Sequence, residues 1–323
     1  MLLVGYGSVG RRHASNLESA RGVRLGIAEP DGVARSSAAT RHPRASLFAS
    51  LEEGLRWEPD GVAICTPSHL HADMVRQALE HTQHVFVEKP LAIERDAATS
   101  LRGPAKGARV TVGYNWRYSR GFEAVREAVR SGRLGAPIDF LSYAASYLPA
   151  WREKDHRAYY SARAAEGGGV LLDFSHETNY LAALFEAPGA VTCSLRNSGT
   201  LGIDAEEVAD IAWSSDRVSG LCHFDYLSRA RRRTLRVLFE RGVLEWDLEH
   251  GRVAVEDGSG TPPLVEGETV EETYVREIDS FLRVLRGGDG SPTDLEDSIR
   301  TLAVIEACRR ADQTKAHVRV EFP

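Results

Sequence analysis

The sequence predicts an α/β protein in two parts: a doubly wound parallel sheet at the N-terminus, then an α+β domain built on a large, mainly antiparallel open sheet. Three observations predict this. Up to about residue 115, short apolar or β-branched runs alternate with helix-length amphipathic segments, the texture of βαβ units. A glycine-rich turn follows the first of those runs. Beyond about Tyr118, strand-like runs succeed one another with only short turns between them, as antiparallel neighbours do. The 323 residues suffice for two such cores, with the division expected at 1–117 and 118–323.

In the first part the expected strands are LLV (2–4), VRLGIA (23–28), GVAIC (61–65), HVFVE (84–88) and RVTVG (109–113). They are nearly continuous apolar runs, which suits parallel strands buried on both faces. Helices are expected near 9–20, 31–40, 70–81 and 93–102. In the second part a helix near 121–131 stops at Ser131-Gly132 and leads through Gly135-Ala136-Pro137 into the strand IDFLSYAASY. A polar and aromatic stretch (148–166) precedes the triplet Gly167-Gly168-Gly169, which opens a helix running to about Phe185. The strands VTCSLRNS, EVADIAWSS, SGLCHFDYLS, RTLRVLFE and VLEWDL follow, then helices near 270–286 and 294–312 and the terminal run HVRVEF. Alternating apolar residues in SGLCHFDYLS and TLRVLFE suit either a helix layer or a face shared between subunits, a homodimer or homotetramer.

Composition excludes several functions. Charged residues are 27% and hydrophobic ones 42%, with a net charge of −6, so nothing draws the chain as a whole to nucleic acid or to an anionic membrane. No apolar run approaches the ~18 residues of a spanning helix. The opening MLLVGYGSVG lacks the basic and apolar regions of a secretory signal, which reads as a cytoplasmic protein. Cys65, Cys193, Cys222 and Cys308 are far apart and form no zinc pattern, and His69-x-His71 has no third ligand at useful spacing, so no metal is expected.

Gly5-Tyr6-Gly7-Ser8-Val9-Gly10 fits G-x-G-x-x-G between a strand and a helix, the dinucleotide-binding arrangement of a Rossmann fold. Gly5 allows the turn, Gly7 lets the backbone approach a pyrophosphate, and Gly10 packs helix on strand. Glu29 ends the next strand 19 residues after Gly10, where a carboxylate accepts from a ribose 2′-hydroxyl and repels a 2′-phosphate. NAD is therefore expected before NADP. Arg35, Arg11 and Arg12 are the cations able to screen a phosphate and keep NADP as the second reading. Of the 40 basic residues only four are lysines, leaving 36 arginines. Against that skew, Lys89 in Glu88-Lys89-Pro90 stands out at the carboxyl end of a strand, where doubly wound folds bind ligands. Its compact ammonium can stabilise an alkoxide or pass a proton.

These motifs, with ICTPSHLHADMVRQAL, VGYNWRYSRGFEAVREAVRSGRLGAP, GGGVLLDFSHETNYLAALF and DLEDSIRTLAVIEACRRA, make the chain resemble the Gfo/Idh/MocA family of NAD(P)-dependent sugar and cyclitol oxidoreductases over nearly its whole length. The resemblance implies that Lys89 stands beside the nicotinamide and the reacting hydroxyl. It implies that Thr66, Pro67 and His71 line the cofactor, with Glu88 and Asn115 near the nicotinamide ribose, and that Arg117 faces the substrate. The family's D-x-x-x-H pair is altered, because Asp173 is followed by His176 at i+3 and Glu177 at i+4. Both offsets share a helix face with Asp173, so either can be the acid/base. His176 is preferred because its ordinary pKa suits proton removal near neutrality, whereas Glu177 would need burial to raise its own. Trp151, Arg152, Tyr159, Tyr160 and Arg163 form an aromatic and basic cluster suited to a sugar or its anionic groups. Arg229, Arg231, Arg232 and Arg233 read as solvated charges at a strand turn.

The expected reaction is hydride transfer between nicotinamide and a secondary alcohol or ketone of a sugar, cyclitol or nucleotide sugar, in carbohydrate biosynthesis. Two other readings stay open. One is a non-catalytic dinucleotide-binding sensor or co-regulator; the other is a glycosidase that uses bound NAD for transient oxidation.

Overall fold

Leu2–Val4 forms β1, a wholly buried strand at the middle of a six-stranded parallel sheet. The structure is a computed structural model and describes every residue except Lys154, Thr261 and Pro323. After β1 come α1 (Ser8–Ser19), β2 (Gly26–Ala28), α2 (Gly32–Arg41), β3 (Ser46–Phe48), α3 (Leu51–Leu55), β4 (Val62–Ile64), α4 (His71–Leu79), β5 (His84–Glu88), α5 (Arg95–Thr99) and β6 (Arg109–Gly113). The strand order β3-β2-β1-β4-β5-β6 is that of a Rossmann sheet, with the order reversing between β1 and β4. Asp31 and Ser50 cap α2 and α3 by accepting from backbone amides three residues on. The strand β3 and helix α3 are additions to the sequence expectation. SLF is half-buried along its length at the sheet edge, so it carries neither a continuous apolar run nor a clear alternation.

The second sheet has eight strands in the order β13-β12-β11-β7-β10-β9-β8-β14. Its elements are α6 (Arg120–Ser131), β7 (Pro137–Ala145), α7 (Val170–Asp173), α8 (Ser175–Phe185), β8 (Ala190–Arg196), β9 (Val208–Ser214), β10 (Ser219–Asp225), β11 (Arg232–Phe239), β12 (Gly242–Asp247) and β13 (Arg252–Glu256). Helices α9 (Val270–Leu285) and α10 (Leu295–Thr314) and the short β14 (Val318–Arg319) complete the chain. The β7–β10 pair is parallel and the other pairs are antiparallel. On the inner face Phe140 stacks on Phe185 of α8 at 5.1 Å, and Trp246 meets Tyr180 of α8 at 5.3 Å. The opposite face exposes Leu141, Leu221 and Leu238 and holds a concavity of about 670 Å³ lined by Leu141, Leu221, Tyr143, Ala212 and His223 among others.

The chain divides into two units, Met1–Asn115 with Tyr274–Ile299, and Trp116–Thr273 with Arg300–Pro323. A single cut at 117/118 thus misses the return of α9 to the first unit. The reason is apolar: Ile278, Phe281 and Leu282 of α9 are buried in one cluster with Met1, Leu3, Tyr6, Leu17, Ile27 and Phe86. Among the described residues, no helix is long and apolar enough to cross a membrane.

Candidate active site

In the first unit the glycine-rich turn joins β1 to α1, where the strand order reverses. Gly5 has φ +89°, and a Cβ there would lie 2.8 Å from the carbonyl oxygen of Cys65. At Gly10 a Cβ would lie 2.1 Å from the Gly5 carbonyl oxygen, so helix and turn approach at a distance only glycine allows. A Cβ at Gly7 would meet nothing within 4 Å. Gly7 is the N-cap of α1; no side chain caps this end, and its first turn, which includes Ser8 and Val9, holds no acidic residue. Backbone amides and the positive end of the helix are thereby left for an anion. Glu29 is buried, and its carboxylate accepts from the amides of Tyr6 at 2.6 Å and Asp31 at 2.9 Å. It therefore braces the glycine turn and keeps further lone-pair directions for a ribose hydroxyl. Arg35 donates through Nη1 to the carbonyls of Glu29 and Pro30. These features fit an adenine dinucleotide with its pyrophosphate at α1 and a ribose at Glu29.

The turn after β4 and the loop after β5 are tied together by His71, which is buried. Its Nδ1 lies 2.7 Å from the Pro90 carbonyl oxygen and its Nε2 2.8 Å from that of Thr66. Burial pushes its pKa down, partly offset by those carbonyls, and a neutral ring donates to one of them at a time. His71 thus fastens the loop that carries Lys89 and Pro90 rather than presenting an open ligand surface, while Thr66 donates to the Met74 sulfur and Pro67 begins an exposed turn. Glu88 ends β5; its Oε1 lies 2.6 Å from Nε2 of His13 on α1, and its Oε2 accepts from the Lys89 amide at 3.3 Å. Asn115 follows β6 and is buried.

In the second unit Asp173 is buried and accepts from two phenols, Tyr226 at 2.6 Å and Tyr160 at 3.3 Å. The Asp173 carboxylate, then burial, push the Tyr160 pKa up; for Tyr226 burial leads and Asp173 follows. Asp173 and His176 do not lie on one continuous helix as expected. The helix breaks at Phe174 (φ −93°, ψ 25°), so Asp173 closes the one-turn α7 while His176 and Glu177 start α8. Glu177 is fully buried and pairs with Nε of Arg233 at 2.8 Å. This corrects the reading of Arg233 as a solvated charge. Along β11 it shares the parity of Leu235, Val237 and Phe239, which points it to the inner face, where its guanidinium also lies 5.4 Å from the Phe174 ring centroid. Trp151 donates to Ser146 Oγ at 2.7 Å and sets its ring edge-on to Tyr226. Arg152 lies over the Tyr159 ring at 4.6 Å, and Arg117 donates to Asn179 at 3.1 Å. Arg163 is spent on Glu166 and the Ala158 carbonyl at the surface.

Residues 1–115 match the family model described as an oxidoreductase family with an NAD-binding Rossmann fold, and residues 122–245 match the C-terminal domain model of the same family. The chain belongs to the Gfo/Idh/MocA family. It is 24% identical to an inositol 2-dehydrogenase of Rhizobium meliloti over 98% of both chains, and 30% identical to a 1,5-anhydro-D-fructose reductase of Ensifer adhaerens over 52% of this chain and 51% of that one. Its fold is that of a levoglucosan dehydrogenase solved with NADH and L-sorbose, with a TM-score of 0.88, 19% identity, and 99% and 98% of the two chains covered. In this Gfo/Idh/MocA protein, sequence reasoning missed Tyr226 and the inward Arg233. A strand-parity count over 233–239 would have found Arg233; no local signal marks Tyr226 as a partner of Asp173.

Proposed function

We propose that the chain is an NAD-dependent dehydrogenase or ketoreductase acting on a secondary alcohol or ketone of a sugar, cyclitol or nucleotide sugar. The observation that carries this reading is Asp173: a buried carboxylate held by two tyrosine hydroxyls, three residues before a buried histidine. A protein that only senses nucleotide has no use for a buried acid held by two phenols three residues before a histidine able to serve as a base. The nicotinamide, when bound, supplies the hydride acceptor or donor. His176 takes the hydroxyl proton as the general base, because the Glu177 carboxylate is already engaged by Arg233. The Lys89 ammonium stabilises negative charge developing on the substrate oxygen, and Asp173 orients the base. Trp151 offers a stacking face to a sugar ring, and Arg152, which packs over the buried Tyr159, a cation to its anionic groups. Related proteins support that range: a WlbA dehydrogenase from Bordetella pertussis, 19% identical with a TM-score of 0.84 over 100% of this chain and 97% of that one, was solved with NADH and UDP-GlcNAcA.

A panel of sugars, inositols and nucleotide sugars assayed with NAD and NADP in both directions tests the reading. Net NADH formation with at least one secondary alcohol, faster with NAD than with NADP, is expected. Binding of neither dinucleotide refutes the proposal, and glycoside turnover without net NADH replaces it with the glycosidase reading. We assign the exposed leucine face of the eight-stranded sheet to pairing between copies of this chain; sedimentation at micromolar concentration is expected to show a dimer or tetramer, and a strict monomer removes the assignment.

A further inference from the structure

Beneath the end of β5, His13 of α1, Glu88 of β5 and Glu277 of α9 bring one nitrogen and two carboxylate oxygens within 4.8 Å of one another, all buried. Glu277 is 0% exposed, and among the described residues neither of its oxygens has a hydrogen-bond partner. An ionised carboxylate in that setting is costly unless something neutralises it. A metal ion, a second proton on His13 or a proton on Glu277 itself could do so. The first fits poorly. His13 Nε2 and Glu88 Oε1 are 2.6 Å apart, a charge-assisted hydrogen-bond distance, whereas two ligands on one tetrahedral ion with bonds of about 2.0–2.1 Å stand roughly 3.3 Å apart. The second leaves a buried N–H unpaired, since Nδ1 of His13 has no partner among the described residues. A proton on Glu277 leaves neither fault.

We propose that Glu277 is a positioning residue: a carboxylic acid that keeps its proton at neutral pH and donates it to Glu88, directly or across one water, thereby holding the strand end that carries Lys89. The proposal rests on the oxidoreductase reading, in which Lys89 acts on the substrate. The titratable groups around Glu277 among the described residues include His13, Glu88, Tyr274 on the His13 ring, and the Cys65 thiol after β4, which burial and both carboxylates push up. Burial and then the Glu88 charge push the Glu277 carboxyl well above the usual carboxylate range, in the same sense. A group raised in this way contributes stability that is fully present below its unfolded value and is lost as pH rises through the folded one.

Glu277→Gln, which keeps a neutral donor, and Glu277→Leu, which does not, test this in the full chain. Glu277→Gln is expected to retain kcat/KM within about twofold, whereas Glu277→Leu loses about tenfold in kcat with a displaced pH profile and little change in KM for the dinucleotide. The Tm of Glu277→Gln should gain on wild type by a few degrees between pH 5 and pH 9, because only the unfolded wild-type chain releases a proton at residue 277 over a range in which the folded protein holds it. Infrared spectra of wild type should carry a protonated-carboxyl C=O band that Glu277→Gln lacks. A missing band, a stoichiometric metal lost with Glu277→Gln, or a glutamine variant as impaired as the leucine one overturns the proposal. The infrared and melting measurements need no turnover, so their failure is distinct from a failure to find any substrate.

Discussion

Lys89→Met is expected to lower kcat/KM by about 10²–10⁴-fold while dinucleotide binding and Tm stay close to wild type. Methionine keeps most of lysine's unbranched apolar stem and removes the charge and the donor. The flanking groups that fix the loop are not touched by the change: His71 still reaches the carbonyls of Thr66 and Pro90, and Glu88 still accepts from the backbone amide of residue 89. Lys89→Arg should recover little, because guanidinium keeps the charge but spreads it over a planar fork and does not give up a proton. Steady-state rates with the best substrate of the panel, alongside fluorescence titration with NADH, separate the two effects. An undiminished rate in Lys89→Met removes Lys89 from the mechanism.

The second large effect is on stability. Arg233→Met should cost about 3–5 kcal/mol in denaturant unfolding, because it strands the Glu177 carboxylate in the interior. The Arg233 side chain is 13% exposed and that of Glu177 0%, so water screens the pair little. The methionine preserves much of the contact with Trp116 and Phe174 that the arginine makes through its guanidinium face. Arg233→Met combined with Glu177→Leu should return most of the loss, since replacing both charges of a buried pair is far cheaper than removing one. A single variant that unfolds within about 1 kcal/mol of wild type would show that Glu177 has another source of compensation.

The two examples mark where the sequence was legible and where it was not. Strands β1, β4, β5 and β6 announce themselves because burial on both faces leaves a continuous apolar run, and the G-x-G-x-x-G turn is readable because each glycine answers a local steric demand. The half-buried β3 and the short β13 after Gly251 carry no such pattern. Asp173, His176 and Glu177 were all picked out by type and spacing, yet their environments were not. The helix break at Phe174 and the phenol of Tyr226, 53 residues away, are set by tertiary packing. Arg233 was misread because four neighbouring arginines look like a charged turn until strand parity sends one of them inward. Glu277 gave no signal at all, since an acid in an amphipathic helix is ordinarily solvated.

The return of α9 to the first unit also bears on how the protein is made. Ile278, Phe281 and Leu282 leave the ribosome only after the whole of residues 116–273, so the nucleotide-binding unit stays unsealed on that side until they are made. The eight-stranded sheet can meanwhile pair most of its strands. A fragment cut after the glycine turn and the Lys89 loop, however complete its motifs, would present Leu3, Leu17, Ile27 and Phe86 to solvent where the late helix belongs. A product truncated before α9 is thereby marked by its own exposed apolar surface.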